Sequence, residues 1–476
     1  MKFSKLALVS AVAGLLSAGT AYAQNGWGQA SSVQQTAFEY NSYYAQDYDE
    51  RAGAKERGIE GTPDPQALPN QPDTYPGQPG IYDDESFGNG AGTLLDPCCC
   101  IGDEWRLFDF ECLECCNTVI QGWVGWNPFV WNTTNPQNRL NGPVTFTDRA
   151  NEVMFNQLYL YGEKAVDTEA GGWDIGGRFD LLYGQDFFFT TATGLETWNS
   201  SQWFGLALPQ FYAEVAYNDL SCKVGHFYAP VGYEVVTMTG NFFPSLPYTF
   251  QYGEAFTFTG FIFNWQAGEN VNIGAGGYNG WDNFTPDNNP NYSLIITYAE
   301  DFSDGAALAY SGTVGNEPNQ AGNFSTRYVQ TLVYSRTLSA ISDRLDYVGQ
   351  TDFGYQNDAL LAGGDAYWYG LNQYLFYKVS DCMTYGIRAE WFRDQEGFRV
   401  NVPRSNPAQN LNSYEGSFYE ITMGANYRYS ANTVFRPYVR FDWFSGTALN
   451  GPGTLPFDSG NGNSQTLIGF DMITLF

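Results

Sequence analysis

The side chains best suited to catalysis or metal binding are one histidine, His226, and six clustered cysteines. The cluster is Cys98-Cys99-Cys100, then Cys112, Cys115 and Cys116. A single imidazole cannot build an H-E-x-x-H zinc site. A serine relay would need His226 beside an activated serine, and no G-x-S-x-G elbow occurs. His226 stands in a strand-like block and reads as a wall residue. The Cys112-x-x-Cys115 spacing could serve zinc, but in an exported chain disulfides are the simpler outcome. Adjacent cysteines pair poorly with each other, so bonds are expected between the triplet and the later trio, with the connectivity open. Cys222 and Cys382 each lie beside a short turn, and nothing in the sequence supports a bond between them. Asp83-Asp84 and Asp103-Glu104 fall in irregular text, where solvation explains them. No glycine loop for phosphate appears. The chain is therefore read as neither an enzyme nor a cofactor or metal protein.

A second set of charged residues recurs with period two against apolar neighbours. Tyr385, Ile387, Ala389 and Trp391 share one face, and Arg388, Glu390 and Asp394 the other. Tyr419, Ile421, Met423 and Tyr427 oppose Glu420, Thr422 and Arg428. Phe435, Val439, Phe441 and Trp443 oppose Arg436, Arg440 and Asp442. Trp173, Ile175, Phe179 and Leu181 oppose Asp174, Arg178 and Asp180. Such alternation is that of strands with one oily face. An arginine facing lipid at mid-depth costs roughly 2–4 kcal/mol, so the charged faces should line an interior. The expected lumen wall is Asp174, Arg178, Asp180, Arg388, Glu390, Glu420, Arg428, Arg436, Arg440 and Asp442. Two readings of its arginines stay open: a transverse field across a pore, or salt bridges that hold the wall.

The elements that must position these residues follow from the rest of the chain. Lys2 and Lys5, the apolar run 6–16 and Ala21-Tyr22-Ala23 read as a signal peptide over residues 1–23. Aromatics make up 17% of the chain and charged residues only 15%, against about 25% charged in soluble domains. No later apolar run is long enough for a spanning helix. Residues 24–117 are rich in Gln, Asn, Gly, Pro and Asp and read as a disordered, Cys-containing periplasmic arm. From 118 to 476 about sixteen alternating blocks follow, separated by turn chemistry. Every second connection is short and most others are long, as in a barrel with short periplasmic turns and long outer loops. The terminal Phe476 with alternate apolar residues before it agrees. The predicted fold is all-β: a transmembrane antiparallel β-barrel of about sixteen strands in the outer membrane. A formal charge of −29 excludes a nucleic-acid partner and favours cations over anions.

The phrases Asn141-Gly142-Pro143-Val144-Thr145-Phe146-Thr147-Asp148-Arg149, Gly172-Trp173-Asp174-Ile175-Gly176-Gly177-Arg178, Leu208-Pro209-Gln210 and Gln251-Tyr252-Gly253-Glu254 carry a family resemblance. So do Lys223-Val224-Gly225-His226-Phe227 and Asn279-Gly280-Trp281-Asp282. Together they resemble the Putative beta-barrel porin-2 family over about Gly122 to Phe476. The resemblance implies an outer-membrane barrel and names no solute.

Residues 232–254, the third outer loop, contain Phe242, Phe243, Pro244, Pro247 and Phe250 and are too apolar for a solvated tip. One reading folds this loop inward as a constriction, with Glu234, Phe242, Phe243 and Glu254 at its edge. The other packs it on a rim or on a neighbouring protomer. Two functions are weighed: passive diffusion of small hydrophilic solutes, with a homotrimer expected by analogy, and a plugged barrel that anchors the Cys-rich arm. Both need outer-membrane lipid. The protein should stay with membranes through carbonate washing and dissolve only in detergent; release without detergent would exclude the barrel.

Overall fold

The computed structural model describes residues 105–108, 110, 113, 116–168, 171–199, 202–285, 292–380, 382–404, 414–448 and 455–476. The signal peptide, most of the arm, and Cys98, Cys99, Cys100, Cys112 and Cys115 lie outside the described residues.

The sheet begins with β1 (Thr118–Asn132), β2 (Met154–Lys164), β3 (Trp173–Gly184), β4 (Gly205–Ala207), β5 (Phe211–Tyr217) and β6 (Leu220–Tyr228). It continues with β7 (Thr257–Gln266), β8 (Val271–Tyr278), β9 (Ser293–Asp301), β10 (Ala307–Pro318), β11 (Phe324–Thr337) and β12 (Leu345–Gln356). β13 (Ala366–Ser380), β14 (Met383–Asp394), β15 (Tyr414–Ser430), β16 (Thr433–Ala448) and β17 (Ser464–Leu475) complete it. Apart from β4 and β5, each strand pairs antiparallel with its sequence neighbour, and β1 pairs with both β2 and β17, so the sheet closes on itself. β4 and β5 both pair with β3 and form one interrupted stave. The wall is thus a sixteen-stave antiparallel barrel, as the alternation predicts.

Proline explains two local departures. Leu208-Pro209-Gln210 breaks the fourth stave, since Pro209 has no N–H for the ladder. Gln210 uses its own groups across the gap: its carbonyl accepts from Asp180 N (2.8 Å) and its side chain donates to the Asp180 carboxylate (3.0 Å). β1 runs beyond the expected end at 127 because the register with β17 shifts between Trp126 and Phe129. Pro128 sits inside that bulge, and the strand resumes rather than stopping.

The two faces separate cleanly. Arg178, Arg388, Arg428, Arg436 and Arg440 are all buried, whereas Trp173, Phe179, Tyr385, Trp391, Phe441 and Trp443 are exposed on the outside. The interior is packed where the chain between β6 and β7 enters it. Trp123 and Tyr159 of the wall stack at 4.1 Å and join Val236, Met238, Leu246 and Phe250 in one cluster. Phe242 and Phe243 pack on Phe376, at 4.8 and 6.5 Å between ring centres. Gly125 makes room for this loop: a Cβ there would lie 2.3 Å from the Met238 sulfur.

Ile296 is exposed on the outer face of β9, and its neighbour Thr297 is buried. Ile296→Arg should therefore lower folding stability by roughly 2–4 kcal/mol, read from urea titration in lipid vesicles. An unchanged midpoint would place that face against water.

Candidate functional site: the loop inside the lumen

The chain from Ala229 to Phe256 links β6 to β7 and folds against the inner wall. Gly232 turns it, at φ +82°, and a Cβ there would meet the Glu254 carboxylate at 2.3 Å, so the two ends of the loop close on each other. Its backbone is buried, and buried amides need partners. The wall supplies them with side chains. Tyr233 N donates to Gln350 of β12 (3.0 Å), and Met238 N to Gln157 of β2 (3.0 Å). Tyr248 N and Thr249 N both donate to the Glu390 carboxylate of β14, at 2.7 and 2.6 Å, with Thr249 Oγ1 adding a third bond at 2.7 Å. Glu390 thereby caps the wide helical turn Thr249–Gly253.

Arginines satisfy the carbonyls. Arg440 donates to Leu246 O (2.7 Å), and Arg436 to Met238 O (2.9 Å) and Asn241 O. Each is itself paired: Arg440 with Asp442 (2.8 Å) and Arg436 with Asp471 (2.8 Å). Arg388 bonds Glu420 beside it on the wall (2.5 Å) and Glu234 on the loop (2.8 Å). Its guanidinium also lies over the Phe243 ring at 5.2 Å. Tyr248 OH donates to Asp442 at 2.6 Å. These are charge-assisted bonds between a loop and a wall far apart in sequence.

The candidate residues therefore separate. Arg388, Glu390, Glu420, Arg436, Arg440, Asp442 and Glu234 come together in one lattice. Glu254 accepts from Gln350 (2.5 Å) beside Asp352. Arg178 and Asp180 pair on β3 (2.7 Å), with Glu163 at 2.9 Å, and Asp174 pairs with Lys164 (3.0 Å) at the short-turn rim. Arg428 is buried on β15. Sequence reading missed Gln157, Gln350 and Asp471. Gln157 fell in an ambiguous block, and a neutral amide carries no sign of its partner.

Two cysteine readings meet the structure. Cys116, expected among the disulfides, is an exposed free thiol in the turn that enters β1 at Asn117 (φ +51°). Cys222 is also free, while Cys382 is disulfide-bonded to a partner outside the described residues, so no bond joins these two. His226 is a wall residue on the outer side, hydrogen-bonded to Thr259 (2.9 Å) and covered by Phe211 and Phe284.

Further loops pack above the site. Arg404 pairs with Asp148 (3.0 Å) and lies over Phe188 (4.4 Å) and Trp203 (4.6 Å). Arg399 donates to Tyr252 O (2.6 Å). Tyr252 OH donates to the Pro143 and Asn401 carbonyls (2.7 and 2.8 Å). Across the lumen, β7–β9 turn neutral residues inward: Ile262, Asn264, Asn272, Gly274, Thr297 and Ala299. One wall is thus charged and loop-bearing, and the wall facing it is neutral and small and also meets the loop, Ala299 clustering with Phe242 and Phe243 and Ile262 with Val231 and Ala255.

A family model described as "Putative beta-barrel porin-2, OmpL-like" matches residues 118–476. No curated protein sequence matches the chain. Among solved structures, the outer membrane channel DcaP of Acinetobacter baumannii is similar at a TM-score of 0.50 and 11% identity, covering 75% of this chain and 97% of that one. An anion-selective porin from Comamonas acidovorans has a TM-score of 0.49 and 12% identity, covering 75% and 99%. At these identities the likeness is one of fold.

Asp186, in the loop after β3, accepts from Asn156 (2.8 Å) and Gln157 (2.9 Å). Burial nevertheless pushes its carboxyl up to about 7. The folded chain then holds a proton that the unfolded chain releases near pH 4, so this group's contribution to stability falls as pH rises from about 4 to about 7. D186N should lose less stability than the native protein over that window, measured by urea midpoints in detergent. Equal losses would show that Asp186 is ionised in the fold.

Proposed function

The chain belongs to the Putative beta-barrel porin-2 family, an outer-membrane barrel family, and from that premise we propose that it is a channel for passive diffusion of small hydrophilic solutes and ions. The observation that carries this reading is the inward fold of loop 232–254. It is lashed to the charged wall of β12–β17, and its Phe242 and Phe243 share a buried cluster with Ala299 of the neutral wall of β7–β9, so it narrows the lumen from both sides. In this reading the loop sets the size limit, with Glu234, Phe242, Phe243 and Glu254 on the constricting element. Water and solute pass through what the loop leaves open of the lumen. A closed barrel of sixteen staves is wide enough for an aqueous channel. Transport needs no covalent chemistry, and none is proposed. A homotrimer is the assembly that goes with the reading.

The competing reading is a plugged barrel that anchors the arm. It is favoured by one contact at the short-turn rim. Asn432, in the turn between β15 and β16, accepts from Trp105 N (2.8 Å) and donates to Trp105 O (2.6 Å), clasping the residues that precede β1.

Conductance of the full chain in planar bilayers separates the two. The channel gives discrete steps that sized neutral solutes reduce up to a cut-off; a plugged barrel gives none. Deleting residues 238–250 should raise single-channel conductance, and an unchanged step would remove the loop from the pore. Because that deletion strips partners from Arg436, Arg440 and Glu390, the substitution F242A/F243A serves as a gentler second variant, expected to shift the step in the same direction.

A further inference from the structure

We propose that the outer faces of β10–β13 form the contact surface between copies of this chain in a homo-oligomer. The inference rests on the homo-oligomer reading above and names the face that reading leaves open.

Around most of the barrel the outer surface at mid-height is hydrocarbon, as at Phe179, Val224, Phe263, Ile296, Phe441 and Ile468. On β11 and β13 amides interrupt it, beside the exposed Leu332, Leu371 and Leu375. Gln330 stands at the middle of β11, between the buried Val329 and Thr331, and so faces out. Gln373 stands at the middle of β13, between the buried Asn372 and Tyr374. Thr351 of β12 lies between them, paired with the outward Leu332 and Leu371. Primary amides at mid-depth find no hydrogen-bond partner in acyl chains. Each amide oxygen takes a local tyrosine: Tyr328 OH donates to Gln330 (2.8 Å) and Tyr347 OH to Gln373 (2.5 Å). Gln373 Nε2 spends one N–H on Asn372 O (2.8 Å), and the second N–H of such an amide can bond across an interface between two copies of the same surface.

The same strands are flattened for close approach. Tyr310 lies along its own strand over Gly312, where a Cβ would meet its hydroxyl at 2.8 Å. Tyr347 lies over Gly349 in the same way, at 2.5 Å. Rings laid down over glycines turn a row of protruding aromatics into a low surface.

The occupant is a second copy on two grounds. A patch of amides and hydroxyls is its own complement, whereas lipid offers it neither donor nor acceptor. Its size also suffices. Four strands at about 4.8 Å spacing, over an apolar band about 25 Å tall, give about 500 Å² per copy. The total of about 1,000 Å² is where specific interfaces begin. Gln330 and Gln373 stand two strands apart at one height, so in a closed ring Gln330 of one copy meets Gln373 of the next.

The test places a photo-crosslinking residue at position 330 or 373 in the full chain, in native outer membranes, with position 224 on the far wall as control. Adducts at multiples of the chain mass from 330 and 373, and none from 224, are expected. The lipid-compatible variant Q330L/Q373L should reduce the oligomer band at least tenfold in mild detergent while the monomer keeps its folded, heat-sensitive mobility. Chain-mass adducts from 224 alone would overturn this face and leave the homo-oligomer reading standing. Absence of adducts together with a monomeric mass would overturn both. An adduct of any other mass would also overturn the proposal.

Discussion

A stretch of backbone buried inside a barrel must draw its hydrogen bonds from the barrel wall, and the rest of this interior follows from that constraint. Each buried polar group left unsatisfied costs about 1–3 kcal/mol. Loop 232–254 has neither helix nor sheet of any length to satisfy itself. The wall does so, with amides from Gln157 and Gln350, a carboxylate from Glu390 and guanidiniums from Arg436 and Arg440. Those guanidiniums are in turn buried charges and need acids, which Asp471, Asp442 and Glu420 provide. Removing one member of such a set leaves an uncompensated charge, at roughly 3–5 kcal/mol. Loop and wall therefore form one unit rather than a scaffold with a mobile insert.

The closed sheet makes that unit possible. Closure leaves no edge strand to bind a stray chain, and it sorts side chains between two solvents by a period of two. Outside, the strands meet hydrocarbon with Trp, Phe, Ile and Leu. Inside, the same strands carry charge because the charges meet one another, which offsets the cost of taking them out of water. Proline is tolerated at Pro128 and Pro209 because one stave can bulge or break while its neighbours keep the cylinder closed.

How much of this was legible in the sequence divides by the range of the interaction. Strand periodicity is local, so β13 at Ala366–Ser380 and β16 from Thr433 could be read almost to the residue. The inward face of Arg178, Arg388, Arg436 and Arg440 followed from the cost of placing arginine in lipid. The connection after β10 was expected over 316–324 but shrinks to 319–323, because Asn316, Glu317 and Pro318 continue the ladder to β11. What could not be read was pairing at a distance. Glu234 reads as the edge of a constriction with no particular partner, and it is an ion-pair partner of Arg388, 154 residues away. No repeat or spacing links two such positions; only the closed barrel brings them together.

That pairing changes where selectivity can reside. A transverse field needs charges that face the solute, and Arg388 and Arg440 are fully buried, each held by carboxylates. Their field is largely cancelled within one shell. Lys223 is likewise buried, over the Tyr212 ring at 4.3 Å and with Glu214 opposite it in the register. In the proposed channel the arginines would then act on permeation at second hand, by fixing the position of the loop. Neutralising one of them would first alter what size of solute passes, and only afterwards which sign of ion.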